Sequence, residues 1–343
     1  LGRRPDPRSL ARVLEALGSS DAGAVVSAAN SLSRLWAAGQ TMDPDRLTEA
    51  LAGAFHGPGT QQRAVIQCLT RLELHGARDA VERCINHPDR LLDGAARACL
   101  VRQGGPGTLL RPVLERLQDP EPGQRRTAVI DLGLAAQPEH LAVVVRTPVS
   151  MPLRALTAFS LARRAMASGR SAAPVAALLD ELCHDDPRRL QLIGQPEPTE
   201  NSPAGWIRLL LQRDENCQYA AAAGILQQSD ATRSVILEQL HRHHGSDYGG
   251  HYMLMRLVGL GGHQGRSAWL KQGLAQTAPQ YRKSRIAAAV AMGELTLTAQ
   301  QDLLQRLQEP SHGEQLRWAG ALALAMIRDQ TQTSLAARAQ ALH

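Results

Sequence analysis

Aromatic residues make up only 3% of this 343-residue chain, and of its 38 basic residues just two, Lys271 and Lys283, are lysines. With so few rings, the apolar positions fall to Ala and Leu, whose short or straight side chains favour helix. β-branched runs are also scarce, which leaves a sheet little to build from. No apolar run approaches the roughly 20 residues that span a bilayer, so no membrane partner is expected. No signal-peptide pattern is visible. The five cysteines, Cys68, Cys84, Cys99, Cys183 and Cys217, are odd in number and contain no C-x-x-C pair. That argues against a disulfide framework or a zinc knuckle and fits a reducing, cytoplasmic compartment. Phosphate loops, dinucleotide fingerprints, nucleophile elbows and H-E-x-x-H are all missing. The chain begins at Leu1 rather than methionine, so further N-terminal sequence is expected.

What is present is arginine and repetition. The net charge is +6, nearly all of the positive side carried by guanidinium groups, whose planar forks suit carboxylates and phosphates. Either a bias of the coding sequence or an anionic ligand accounts for that preference. Residues 113–136, VLERLQDPEPGQRRTAVIDLGLAA, read as a helix, a turn carrying Asp-Pro, and a second helix. Pro120 and Pro122 stop the first helix and restart the chain. Ala128, Leu132 and Ala135 then fall on one face of the second helix. The phrase returns about every 35 residues. Earlier copies end in VVSAANSLSRLWAAG, QQRAVIQCLTRLELHG and DGAARACLVRQG. Later ones end in PLRALTAFSLARRAMASG, CQYAAAAGILQQ, HYMLMRLVGLGG, SRIAAAVAMGEL and LRWAGALALAMI.

This pattern resembles HEAT repeats over nearly the whole chain. A single hairpin cannot bury its own apolar face, so neighbours must stack. The expected fold is all-α: a curved HEAT-like α-solenoid of about nine hairpins, with the second helices lining the concave face. Residues 185–205 break the rhythm with four prolines. They divide the expectation into an N-terminal array (1–184), an irregular connector (185–205) and a C-terminal array (206–343). The connector is read as flexible because its tip is polar; a loop folded over the concave face is the alternative.

Repeats provide their own control for function. Arg63, Arg126, Arg154, Arg285 and Arg317 recur near the start of second helices, so they read as structural partners of the preceding turn. A guanidinium ladder on the concave wall is the other reading. The second helix that departs most is SDYGGHYMLMRLVGLGG, from Ser246. Asp247 stands where an N-cap is wanted. Tyr248, Tyr252 and Arg256 share a stripe, while Met253, Leu254, Leu257 and Leu260 face the core. Tyr248, His251 and Tyr252 are therefore expected off the packed side. Cys183-His184-Asp185-Asp186 is a weaker candidate, readable as a helix end with a favourable histidine. His241, His243 and His244 lack a third ligand, so no metal site is expected. Trp206, Trp269 and Trp318 could stack on a planar ligand or simply pack.

With SDYGGHYMLMRLVGLGG and PVSMPLRALTAFSLARRAM in view, the chain resembles the E/F-type phycobilin lyases of cyanobacteria, especially the fused single-chain kind acting on phycoerythrin. The NHCQGN-like signature of the heterodimeric isomerising lyases is absent. The resemblance implies a linear tetrapyrrole substrate, with no separate cofactor, delivered as a thioether to a cysteine of a phycoerythrin subunit. Phycoerythrobilin would be the bilin, isomerised in some members to phycourobilin. Arginine forks at Arg154, Arg256 and Arg317 would hold the propionates. Tyr252, Trp206 and Trp318 would flank the conjugated plane, and Asp247, Tyr248 or His251 would move the proton. The acceptor thiolate belongs to the partner, so the lyase needs no nucleophile of its own.

Two rivals make different predictions. A non-enzymatic HEAT scaffold would bind protein and ignore pigment. A nucleic-acid enzyme would need a stronger basic stripe and more stacking aromatics than this chain has, so no nucleic-acid partner is expected.

Overall fold

Small residues on one face of each second helix let the backbones come close, and the structure is built from that approach. The computed structural model describes residues 7–37, 39 and 42–328; among them nineteen α-helices and seven short 3₁₀ turns form, with no strand. The chain is all-α, a HEAT-like stacking of helix hairpins. It divides into two units.

The first unit takes in the described residues to Asp119 and Gly123–Gln137. Its helices are α1 (Pro7–Leu17), α2 (Ala22–Ala37), α3 (Pro44–Gly53), α4 (Gly59–Leu72), α5 (Arg78–Glu82), α6 (Arg90–Arg102), α7 (Arg111–Glu115) and α8 (Pro122–Ala135). The second helices α2, α4 and α6 pack on one another in turn. Cap chemistry sets the boundaries. Asp43 and Asp89 accept from the N–H groups of Asp45 and Leu91 at 3.0 and 2.9 Å, and α4 stops at left-handed Glu73 (φ 55°).

The second unit takes in Pro120–Pro122 and the described residues from Pro138. It contains α9 (Leu141–Arg146), α10 (Met151–Ala167), α11 (Ala172–His184), α12 (Pro203–Leu210), α13 (Glu215–Gln227), α14 (Asp230–His244), α15 (Tyr248–Leu260), α16 (Ser267–Ala275), α17 (Arg282–Glu294), α18 (Gln301–Arg306) and α19 (Glu314–Arg328). The second helices α13, α15, α17 and α19 form a continuous layer, flanked by α12, α14, α16 and α18. Gly259 and Gly293 make the layer possible. A Cβ at Gly259 would lie 2.6 Å from the Ala291 Cβ, and one at Gly293 2.6 Å from the Ala323 Cα. Against this layer lies α11, which contacts both α17 and α19.

The 185–205 segment is not a loose connector. It falls inside the second unit. Gln191 N–H donates to the Arg146 carbonyl (2.8 Å), and Asn216 clasps both backbone groups of Ile193 at 2.9 and 2.8 Å. Its polar tip is real, but its first residue, Asp185, is 2% exposed and anchors the rest. Among the described residues, no helix is long and apolar enough to cross a membrane.

Candidate functional site

The site is built on α15. Asp247 caps it: the carboxylate accepts the Gly250 N–H at 2.6 Å through one oxygen. Tyr248 opens the helix and is 49% exposed. From Gly250 to Gly259 every residue is buried. Sequence spacing placed His251 and Tyr252 off the packed side, and the structure corrects this. α15 lies between α13 and α17, with α14 and α16 also against it, so its Gly250–Gly259 stretch keeps no solvent-facing side. His251 is 8% exposed and Tyr252 1%.

The Tyr248–Tyr252–Arg256 stripe meets the chain's own carboxylates. The Tyr252 hydroxyl donates to Asp185, which also accepts from Arg154 and from the Tyr219 hydroxyl (2.9 Å). Arg154 is fully buried; it further donates to the carbonyls of Val149 (3.0 Å) and Val145 (2.7 Å), the preceding turn. One helical turn on, Arg256 donates to Glu294 at 3.0 Å, and His184 shares that carboxylate at 3.1 Å through Nδ1. Burial alone would raise the Glu294 carboxyl; Arg256 and His184 overcome it and hold the group below its ordinary value. Trp318 donates from Nε1 to Asp180 (2.9 Å) and meets Phe159 edge-on. Trp206 donates to Asn201 (3.1 Å) and lies against Gly224. Arg317 is half-buried near the start of α19, its Nε without a partner.

Beyond this stripe, a cleft of about 1180 Å³ opens between α11 and the ends of α15 and α17. Its charges largely satisfy one another. Glu181 is taken by Arg146 in a two-pronged pair, Asp186 by Arg188, Glu294 by Arg256 and His184, and Asp180 by Trp318.

At the other end of α15 stand a buried imidazole nitrogen without a partner and an ammonium paired, among the described residues, with no carboxylate. The Tyr281 ring, just before α17, meets Tyr248 edge-on at 5.3 Å and His251 at 5.1 Å. His251 Nδ1 is buried and has no hydrogen-bond partner. Burial pushes its imidazole below the ordinary value, and nearby His241 adds to this. The Lys283 ammonium lies 4.9 Å over the Tyr252 ring. All four tyrosines of the chain thus converge on α15: Tyr248 and Tyr252 belong to it, Tyr281 touches it, and Tyr219 shares Asp185 with it.

Asp247, Tyr248 and His251 lie at the cap and in the first turn of α15. The structure engages Tyr252, Arg256, Arg154 and Trp318 internally and leaves Trp206 and Arg317 on other helices. Sequence reasoning missed Tyr281, Lys283, Tyr219 and Glu294. Lysine's rarity in an arginine-rich chain was an available signal for Lys283; nothing marked Glu294. His241 stacks on Trp269 with centroids 4.1 Å apart. Among the described residues no group of three or more His, Cys, Asp or Glu could hold a metal ion.

No protein-family model matches the chain. It is 25% identical over 299 residues to the uncharacterized phycocyanin operon protein Y of Pseudanabaena tenuis, covering 86% of this chain and 69% of that one. Among solved structures it is similar to human deoxyhypusine hydroxylase in complex with glycerol, at 19% identity and a TM-score of 0.34, over 83% of this chain and 96% of that. It is also similar to a mutant of Kap121p, at 11% identity and a TM-score of 0.27, over 97% of this chain and 38% of that.

Proposed function

We propose that this protein serves phycobiliprotein maturation, as a lyase that delivers a linear tetrapyrrole to a cysteine of a phycobiliprotein subunit. A relative from a phycocyanin operon supports the broader role. The resemblance of SDYGGHYMLMRLVGLGG to the E/F-type lyases supports the narrower one, with phycoerythrin as acceptor and phycoerythrobilin, or its isomer phycourobilin, as pigment.

The observation that carries the reading is the set of polar groups at the start of α15. Exposed Tyr248, an imidazole with an uncommitted nitrogen and the second oxygen of Asp247 stand together at the start of α15. The cleft beside α11, by contrast, has its carboxylates already engaged. Tyr248 and Tyr281 offer ring faces to a conjugated plane. Asp247 can accept from pyrrole N–H groups, and Tyr248 or His251 can pass a proton. Tyr252, Arg256, Arg154 and Trp318, engaged by the chain itself, act in this reading by positioning α15 and its neighbours. Trp206 and Arg317 remain proposed ligand contacts from the flanking helices.

The transfer is an addition. The partner's thiol sulfur forms the S–C bond, its proton ends on a pigment carbon, and nothing is oxidised. Orientation alone can supply about 7–11 kcal/mol of such a barrier at best. Co-production of the chain with the bilin and a phycoerythrin subunit is expected to yield a covalent, zinc-fluorescent subunit. No adduct would remove the lyase reading, and subunit binding without pigment would favour the scaffold. Tyr248→Phe and Asp247→Asn are expected to lower transfer or isomerisation while the chain stays folded; wild-type behaviour of both would sink the site.

A further inference from the structure

We infer that the first turn of α17 is a carboxylate subsite in which Lys283 pairs with one propionate arm of the tetrapyrrole; this rests on the reading above. Lys283 is oddly placed for a structural cation. It is the second residue of α17, and the first turn carries Arg282, Lys283 and Arg285 but no acid. A helix N-terminus bears a partial positive charge, so cations there are unfavourable. Two of the three are engaged: Arg282 donates to Gln315, and Arg285 to the Leu274 carbonyl at 3.1 Å. Lys283 has a ring beneath it and, among the described residues, no carboxylate within ion-pair distance. Burial lowers its pKa, against the pull of Asp185, Glu215 and Asp247. None of them reaches ion-pair distance: Asp185 is held by Arg154, Tyr219 and Tyr252, and Asp247 turns one oxygen to the cap of α15.

Independent features point the same way. No side chain caps α17; the preceding 3₁₀ turn serves instead, the Arg282 N–H donating to the Pro279 carbonyl, so no carboxylate of the chain sits at this helix start. His251, 8% exposed, turns an edge to Tyr281, the residue that precedes α17, and its Nδ1 is unpartnered. Ser284, the next residue of the same turn, is fully buried with its hydroxyl unpartnered. An unpaired ammonium and an aromatic wall at Tyr248 and Tyr281 together suit a planar ligand with a carboxylate arm. A compact ammonium on a flexible stem also tolerates an arm of variable reach better than a fixed fork.

The test titrates the purified full-length chain with biliverdin, whose propionates are free, and with its dimethyl ester. Wild type is expected to bind biliverdin at least tenfold more tightly than the ester. Lys283→Met should erase that preference, binding both as wild type binds the ester, and Lys283→Arg should keep most of it. Reductive methylation read by mass spectrometry gives a second readout without substitution. Bound biliverdin should protect Lys283 and leave exposed Lys271 reactive. If wild type binds biliverdin but does not distinguish the ester, or Lys283 stays reactive in the complex, the subsite is overturned and the tetrapyrrole reading stands. If neither pigment binds, both fall.

Discussion

Each unit centres a buried carboxylate, and the two are satisfied in different ways. In the first unit Asp131, fully buried on α8, accepts from two guanidinium groups, Arg63 at 3.2 Å and Arg116 at 3.1 Å. In the second, Asp185 sits at the end of α11 in the left-handed region (φ 45°) and accepts from one guanidinium and two phenols. Asp131 is a saturated ion-pair hub that fastens hairpins together. Asp185 is a carboxylate at the negative end of a helix, where an acid is poorly placed without donors. It draws α10, α13 and α15 onto α11 chiefly through neutral hydroxyls. Arg154 alone balances the Asp185 charge and the phenols add none, so nearby Lys283 is left, among the described residues, without a counter-charge at ion-pair distance. Repeats whose charges close on themselves hold a fold; the region where they fail to close is where a ligand has work to do.

The largest expected effect tests that contrast directly. Asp131→Ala and Asp185→Ala each strand a buried arginine, and breaking such a pair costs about 3–5 kcal/mol. Hydrogen exchange should show the loss in α8 for the first and in α15 for the second, since stability is local to cooperative units. Asparagine separates them. Asp185→Asn keeps an acceptor for the phenols and should recover a good part of the stability; Asp131→Asn, facing two guanidinium groups, should recover little. Equal recovery at both positions would break the comparison.

A middle-sized effect belongs to Glu294. Its carboxyl is held below the unfolded value of 4.5 despite burial, through Arg256 and His184. A depressed folded pKa stabilises above the unfolded value, and that contribution is lost as pH falls through the folded one. The unfolding midpoint of the second unit should therefore drop on acidification below about pH 4.5. Glu294→Gln should cost about 1–3 kcal/mol at neutral pH and flatten that acid dependence. An unchanged acid limb would show that Glu294 is not the group responsible.

The repeat was legible because it is written in spacing. Small residues every three or four positions located the nine second helices α2, α4, α6, α8, α10, α13, α15, α17 and α19. Asp247 was legible as a cap for the same local reason. What spacing could not reach was burial on the remaining faces. His251 and Tyr252 look spare on a helical wheel, but whether a helix is covered on one side or all round depends on where its neighbours run. The Asp185 hub joins residues 31, 34 and 67 positions apart, and no local pattern announces such meetings. The Pro-rich segment misled likewise: prolines predict a break in helix, which is present, but they say nothing of whether the chain beyond is anchored.

The smallest structural effect carries the most functional weight. Tyr252 and Tyr248 lie one turn apart on α15, and removing a hydroxyl from each should separate anchoring from chemistry. Tyr252→Phe takes a buried donor from the arginine-paired carboxylate of Asp185, a loss of about 1.5–3 kcal/mol, visible as a lower melting temperature. Tyr248 is half exposed, and its ring keeps its contact with Tyr281 when the hydroxyl is removed. Its stability change should stay within about 0.5 kcal/mol, while pigment transfer falls by tenfold or more, the scale of general acid–base help being about 10²–10⁴. Should Tyr248→Phe destabilise as much as Tyr252→Phe, the exposed phenol is a packing residue too, and the open end of α15 loses its claim to chemistry.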